Sequence, residues 1–149
     1  MIDVHVNEAQ RVGVPVKQVE RAVREALSSE GIAEGEISVT FLSDARIQEL
    51  NQQYLDHDFP TDVLSFALHD EGEPILGDVY IGADHALRQA SALGLPLEEE
   101  VARLAIHGAL HVLGYQHPEG EGREESELFR KQEIILRSLV SIPVRRSVR

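Results

Sequence analysis

Three histidines lie within the eleven-residue segment HGALHVLGYQH, as His107, His111 and His117. Residues four apart on a helix share one face, with Cβ atoms about 5–6 Å apart, so two imidazoles can reach one ion at about 2.0–2.1 Å. Gly114 favours a left-handed turn that ends the helix and brings His117 back as a third ligand. We therefore predict one Zn²⁺ per chain, or another divalent metal, with a fourth position open for water.

The spacing of these histidines matches the metalloprotease pattern H-E-x-x-H-x-x-G-x-x-H with one departure. Gly108 stands where a metalloprotease has the glutamate that acts as general base. Without that carboxylate, the chemistry of peptide hydrolysis is incomplete. We expect a metzincin-like metal-binding helix in a protein that catalyses a reaction other than peptide hydrolysis. A metallopeptidase is the first alternative.

Three further residues are candidate catalytic groups. Asp62 follows Pro-Thr and is a candidate general base or a carboxylate that supports the metal ligands, or else an ordinary turn residue. Ser65 alternates with apolar neighbours, so it either lines the cleft or is a sheet hydroxyl with a partner of its own. Arg103 precedes His107 by one helical turn, where it can contact a phosphate or pair with glutamates of its own helix.

The elements that position these residues follow from hydrophobic periodicity. We predict strands at residues 2–6, 36–42, 62–66 and 78–81, and helices at 17–29, after Ser43, and at 83–93, 97–113 and 123–139. The last two strands form a hairpin, the helix at 97–113 is apolar almost all round, and the last helix has an inner stripe that includes Gln132. This order predicts a single α+β domain over residues 1–149, with a small mixed β-sheet packed against several α-helices.

The composition restricts the classes of protein. The net charge of −12 argues against binding nucleic acid by global attraction, although RNA can still be approached through a local basic cleft. The sequence has no cysteine, which excludes a disulfide framework and a thiolate metal site. No apolar run approaches the roughly 20 residues of a membrane span, and the start lacks the features of a signal peptide. We expect a cytoplasmic protein without a membrane partner.

Three motifs together resemble the YbeY family of bacterial metal-dependent endoribonucleases. HGALHVLGYQH is similar to the family signature, PTDVLSF at residues 60–66 to its P-T-D-V-L-S-F segment, and LGD at 76–78 to its L-G-D. The resemblance implies an α+β fold with a metal in a cleft between helix and sheet. It also implies a cytoplasmic role in small-subunit ribosomal RNA maturation and ribosome quality control, with ribosomal RNA or the small subunit and its proteins as partners.

Three positions depart from the family pattern. Leu55 follows Tyr54 where the family carries arginine, His57 replaces a lysine, and Gln116 stands where aspartate is common. A guanidinium at position 55 would hold phosphate bidentately and stabilise charge in the transition state. From the metal site and the resemblance we predict a zinc-dependent hydrolase of ribosomal RNA, whose metal-bound water attacks phosphorus. Because of Leu55 and the acidic charge, a second alternative stays open, a non-catalytic, metal-stabilised ribosome-binding module.

Overall fold

Four strands and five helices lie within residues 1–8, 13–55, 63–115 and 127–139, the parts of the chain that the computed structural model describes. They follow in the order β1 (Ile2–Asn7), α1 (Val16–Ser29), β2 (Gly35–Leu42), α2 (Asp44–Leu55), β3 (Val63–Ala67), β4 (Ile75–Gly82), α3 (Ala83–Leu93), α4 (Leu97–Val112) and α5 (Glu127–Leu139). The order and the α+β class agree with the prediction. The predicted start of the last helix at residue 123 lies outside the described residues.

The four strands form one mixed sheet in the order β1-β2-β4-β3. β1 pairs with β2 and β2 with β4 in parallel, while β3 and β4 are antiparallel, as the predicted hairpin requires. β4 begins at Ile75, so its predicted start at residue 78 was wrong. Gly77 weakens the strand pattern, yet a Cβ there would lie 2.5 Å from Cγ1 of Val112 on α4. The glycine is thus explained by close helix packing, which local periodicity does not record.

Helix α4 lies at the centre of the main apolar core. It packs against α1, α3, α5 and the strands β3 and β4. Its side chains Ile106 and Leu110 are fully buried, which confirms the predicted interior position. A smaller apolar cluster under α2 contains Leu42, Ile47, Leu50 and Leu64. No helix within the described ranges is long and apolar enough to span a bilayer.

The C-terminal end of α4 has the predicted glycine turn. Gly114 has φ of +107°, a left-handed conformation that glycine adopts without a Cβ clash. The N–H of Gly114 donates to the carbonyl of His111 at 2.9 Å, and the N–H of Tyr115 donates to the carbonyl of Leu110 at 3.0 Å. These two bonds are those of a Schellman motif, and they hold the last turn of α4 in place.

Candidate metal centre

His107 and His111 face each other from successive turns of α4. Their Nε2 atoms are 3.1 Å apart, and the ring centroids are 4.7 Å apart with the planes at 69°. Two nitrogens on a tetrahedral zinc, each at about 2.0–2.1 Å, lie about 3.3 Å from each other. The donor type and the spacing of this pair therefore fit a divalent cation, and the prediction that one helix face carries both rings is confirmed.

A buried amide on α5 contacts the far side of the first imidazole. Oε1 of Gln132 lies 2.6 Å from Nδ1 of His107, and the Gln132 side chain is only 4% exposed. Its Nε2 donates to Oε2 of Glu133 at 2.9 Å. Sequence reasoning placed Gln132 on the inner stripe of its helix without assigning it a partner. The available signal was a polar residue among apolar ones, because a buried amide requires a hydrogen-bond partner.

Arg103 lies one turn before His107 and is held by three carboxylates. Its Nε donates to Glu133 at 3.0 Å, Nη1 to Glu100 at 2.8 Å and Nη2 to Glu99 at 3.2 Å. Burial opposes the charge on Arg103, but the Glu133 and Glu100 carboxylates outweigh it and raise the pKa of the guanidinium. The structure thus shows the pairing with glutamates of its own helix, and contact with a phosphate stays a prediction.

Gly108 faces the sheet and is the point where α4 comes very close to it. A Cβ at this position would lie 2.5 Å from Cγ1 of Val79 and 3.1 Å from Oγ of Ser65. Ser65 and Val79 are opposite each other in the β3–β4 ladder, so both point toward α4. The hydroxyl of Ser65 is enclosed, and no partner for it lies among the described residues. Ser65 therefore faces the helix, which alternation alone did not specify, and its catalytic role stays a prediction.

A second polar cluster anchors the chain just beyond α4. The hydroxyl of Tyr115 donates to Oε1 of Glu30 at 2.5 Å, and Nζ of Lys131 donates to Oε2 of Glu30 at 3.1 Å. The hydrogen bond from Tyr115 is the main cause that lowers the pKa of the Glu30 carboxyl, against the opposing effect of burial. The cluster ties the end of α4 to α1 and α5. Tyr115, the last described residue before His117, is therefore held in place.

Several predicted site residues lie outside the part of the chain that is described. Asp62, His57, Gln116 and His117 belong to this group, and Leu55 is the last residue of α2. Within the described residues, no group of three histidine, cysteine, aspartate or glutamate side chains could hold an ion. The third ligand and the role of Asp62 therefore stay predictions.

A central helix with two facing imidazoles, packed on a four-stranded mixed sheet, defines a class of small α+β proteins with a paired-histidine helix. The family model described as Endoribonuclease YbeY matches residues 5–140. The chain belongs to the Endoribonuclease YbeY family.

Individual relatives agree with the family match. An Endoribonuclease YbeY from Bacillus licheniformis is 42% identical over 131 residues, covering 80% of this chain and 82% of the relative. One from Aquifex aeolicus is 47% identical over 126 residues, covering 83% of each chain. The solution structure of TM1509 from Thermotoga maritima superposes with a TM-score of 0.63 at 29% identity, covering 95% of this chain and 90% of that one.

Proposed function

We propose that this protein is a zinc-dependent endoribonuclease that cleaves ribosomal RNA during small-subunit maturation and ribosome quality control in the cytoplasm. Membership of a family described as Endoribonuclease YbeY supports RNA hydrolysis. The observation that carries the metal dependence is the convergence of two Nε2 atoms at 3.1 Å on a half-buried helix face. Two imidazole nitrogens this close, with Gln132 on the far side of one ring, suit a pair of ligands of one cation, and this supports the proposed metal dependence.

His107, His111 and His117 hold the ion in this proposal. A bound zinc would supply a Lewis acid for the phosphodiester and a water of lowered pKa. Asp62 is assigned as the carboxylate beside that site, and Ser65 as part of the cleft wall, since its hydroxyl is enclosed between β3 and α4. Arg103 is assigned a structural role beside the site, because its guanidinium donates hydrogen bonds to three carboxylates.

The packing around Gly108 disfavours the metallopeptidase alternative. A glutamate at that position would place its Cβ 2.5 Å from Val79, inside van der Waals contact. The carboxylate that peptide hydrolysis needs is absent there, and the packing leaves no room for it. The net charge of −12 bears on the other alternative, the ribosome-binding module. An acidic protein repels RNA, so cations of the ribosome itself must bring the RNA to it. The small ribosomal subunit and its proteins are therefore the partners that we propose.

Metal removal and replacement tests the proposal on the purified chain. Chelator-treated protein should bind about one zinc per chain and should regain cleavage of a ribosomal RNA fragment when zinc is restored, while casein stays intact. His111→Ala should abolish zinc binding and cleavage. The matched control is His5→Ala, because His5 is exposed on β1 beside Glu36.

Each contrary result identifies a different alternative. Chelator-sensitive hydrolysis of casein would establish a peptidase. Zinc binding and small-subunit binding without RNA cleavage would establish a binding module. RNA cleavage that survives both chelation and His111→Ala would show that the reaction does not need the metal.

A further inference from the structure

A line of hydrogen bonds leads from Arg103 to the ring of His107. Nε of Arg103 donates to Oε2 of Glu133 at 3.0 Å, and Nε2 of Gln132 donates to the same oxygen at 2.9 Å. Oε1 of Gln132 then lies 2.6 Å from Nδ1 of His107. The line connects α4 to α5 and returns to α4, and it ends at a proposed metal ligand.

The chemistry of the groups fixes the direction of these bonds. A guanidinium can only donate, and an ionised carboxylate can only accept. The Gln132 atom that meets Glu133 must therefore be the NH₂ group, which leaves the amide oxygen toward His107. A carbonyl oxygen can only accept, so Nδ1 of His107 must carry the hydrogen. Its Nε2 then has a lone pair, and that atom faces Nε2 of His111.

We propose that Gln132 is a positioning residue that holds His107 in the Nδ1–H tautomer, and that Arg103 and Glu133 hold the Gln132 amide in the required orientation. The metal ligand is then prepared before the cation arrives, because the tautomer of an imidazole is set by the partner of its other nitrogen. Only the part that concerns metal binding rests on the proposed function. The tautomer itself is a property of the metal-free protein.

Burial and chemistry together explain an amide at position 132. The side chain is 4% exposed, so an apolar residue there would leave Nδ1 of His107 without this acceptor. A carboxylate would accept from His107, but it could not donate to Glu133 and would place two negative charges side by side. An amide can accept at one end and donate at the other. It is therefore the group that joins a ring N–H to a carboxylate without repulsion.

The first test needs no variant. Long-range ¹H–¹⁵N correlation spectra of metal-free protein, recorded at a pH where the ring is neutral, show which nitrogen of His107 is protonated. The His107 signal is identified by its loss in His107→Asn. We expect Nδ1–H. The Nε2–H tautomer in the wild-type protein would overturn the proposal, whether or not the protein binds zinc or cleaves RNA.

The second test removes the acceptor with little change in size. Gln132→Met should shift His107 away from the Nδ1–H tautomer and weaken zinc binding about 10- to 100-fold in a competition titration. Gln89→Met, at an exposed position on α3, is the matched control and should change neither. A folded Gln132→Met protein with the wild-type tautomer and zinc affinity would contradict the proposal.

The third test replaces the amide by a carboxylate. Gln132→Glu keeps an acceptor for Nδ1 of His107 but loses the donor to Oε2 of Glu133. It should therefore retain the Nδ1–H tautomer, unlike Gln132→Met, and unfold at a lower denaturant concentration than the wild-type protein. A folded Gln132→Glu protein with the Nε2–H tautomer would contradict the proposal.

Discussion

Gly108 lies where helix α4 is so close to the sheet that a methyl group has no space. Alanine usually stabilises a helix by about 0.8–1.0 kcal/mol relative to glycine, whereas overpacking a core costs about 1–3 kcal/mol. The 2.5 Å approach to Val79 means that the second effect should exceed the first. We expect Gly108→Ala to lower the free energy of unfolding by up to about 2 kcal/mol, as measured by urea denaturation.

The control for this prediction is a double-mutant cycle with Val79→Ala, which removes the two methyl groups nearest to the new Cβ. The double variant should be more stable than the sum of the single changes predicts. A Gly108→Ala protein that is stabilised by the full helix-propensity difference would show that the sheet yields easily at this point.

Leu55 stands where the family motif carries an arginine, and its apolar side chain cannot bind a phosphate. If a cation there stabilises the transition state, Leu55→Arg should raise the rate of RNA cleavage about tenfold, a partial return of the 10²–10³ that one such donor can supply. Cleavage by metal-loaded protein is the measurement. Leu93→Arg is the control for added charge, since Leu93 is exposed at the end of α3.

Two results would count against a role for position 55. Equal rate gains in Leu55→Arg and Leu93→Arg would indicate a general electrostatic effect. No gain in a Leu55→Arg protein that folds and binds zinc would mean that the phosphate is held by other groups.

At the scale of elements, the cluster of Glu30, Tyr115 and Lys131 connects α1, α4 and α5 and makes stability depend on pH. The Tyr115 hydroxyl lowers the pKa of Glu30 below the ordinary value of 4.5, so the cluster contributes stability above about pH 4.5. That contribution disappears as the pH falls through the lowered pKa. We expect Tyr115→Phe to reduce the free energy of unfolding by about 1 kcal/mol at pH 7 and by less at pH 3.

Urea denaturation at the two pH values measures this difference. Glu30→Gln is the companion variant, because it removes the titrating group and should flatten the same part of the pH profile. A Tyr115→Phe effect that is as large at pH 3 as at pH 7 would show that packing of the ring, and not the ionised carboxyl, provides the stability.

The elements that follow from short-range patterns were predictable from the sequence. α4 was expected from its apolar residues and its end from Gly114, and both agree with the structure. The error at the start of β4 has a tertiary cause, because Gly77 interrupts the strand pattern where Val112 of α4 approaches. Local periodicity carries no information about a helix that arrives from another part of the chain.

In the candidate site, too, some features follow from the local sequence and others depend on tertiary packing. The spacing of His107 and His111 placed two rings on one face without knowledge of the fold. The contact from Gln132 to His107 spans 25 residues and depends on how α5 packs on α4. The bond from Arg103 to Glu133 spans 30 residues and was equally hidden. A sequence motif therefore indicated the histidines that we propose as ligands, but the groups that contact them could be found only in the structure.

At the scale of the whole molecule, the net charge of −12 opposes the approach of RNA, which is also negatively charged. Beside the candidate site, three carboxylates surround the guanidinium of Arg103. Their excess negative charge attracts a divalent cation and repels phosphates. Raising the salt from 0.01 M to 0.1 M shortens the screening length from about 30 Å to about 10 Å. We therefore expect kcat/KM for RNA cleavage to rise over this range of sodium chloride.

Proteins that hold nucleic acid by basic contacts behave in the opposite way, with affinity that falls as salt is added. Zinc content and the free energy of unfolding should be measured at both salt concentrations, so that a change in the protein is separated from screening. A steep fall in kcat/KM, with both of these constant, would reveal a local basic surface strong enough to overcome the total charge.

The connection between α4 and α5 also has a consequence for the time at which the site matures. Gln132 is synthesised 25 residues after His107. At about 5–20 residues per second, the interval lasts about one to five seconds. During this time a nascent chain can contain both imidazoles of α4 but not the amide that contacts one of them. Zinc taken up before α5 packs on α4 would bind a histidine that lacks this hydrogen bond, so metal loading before and after this packing step would begin from different sites.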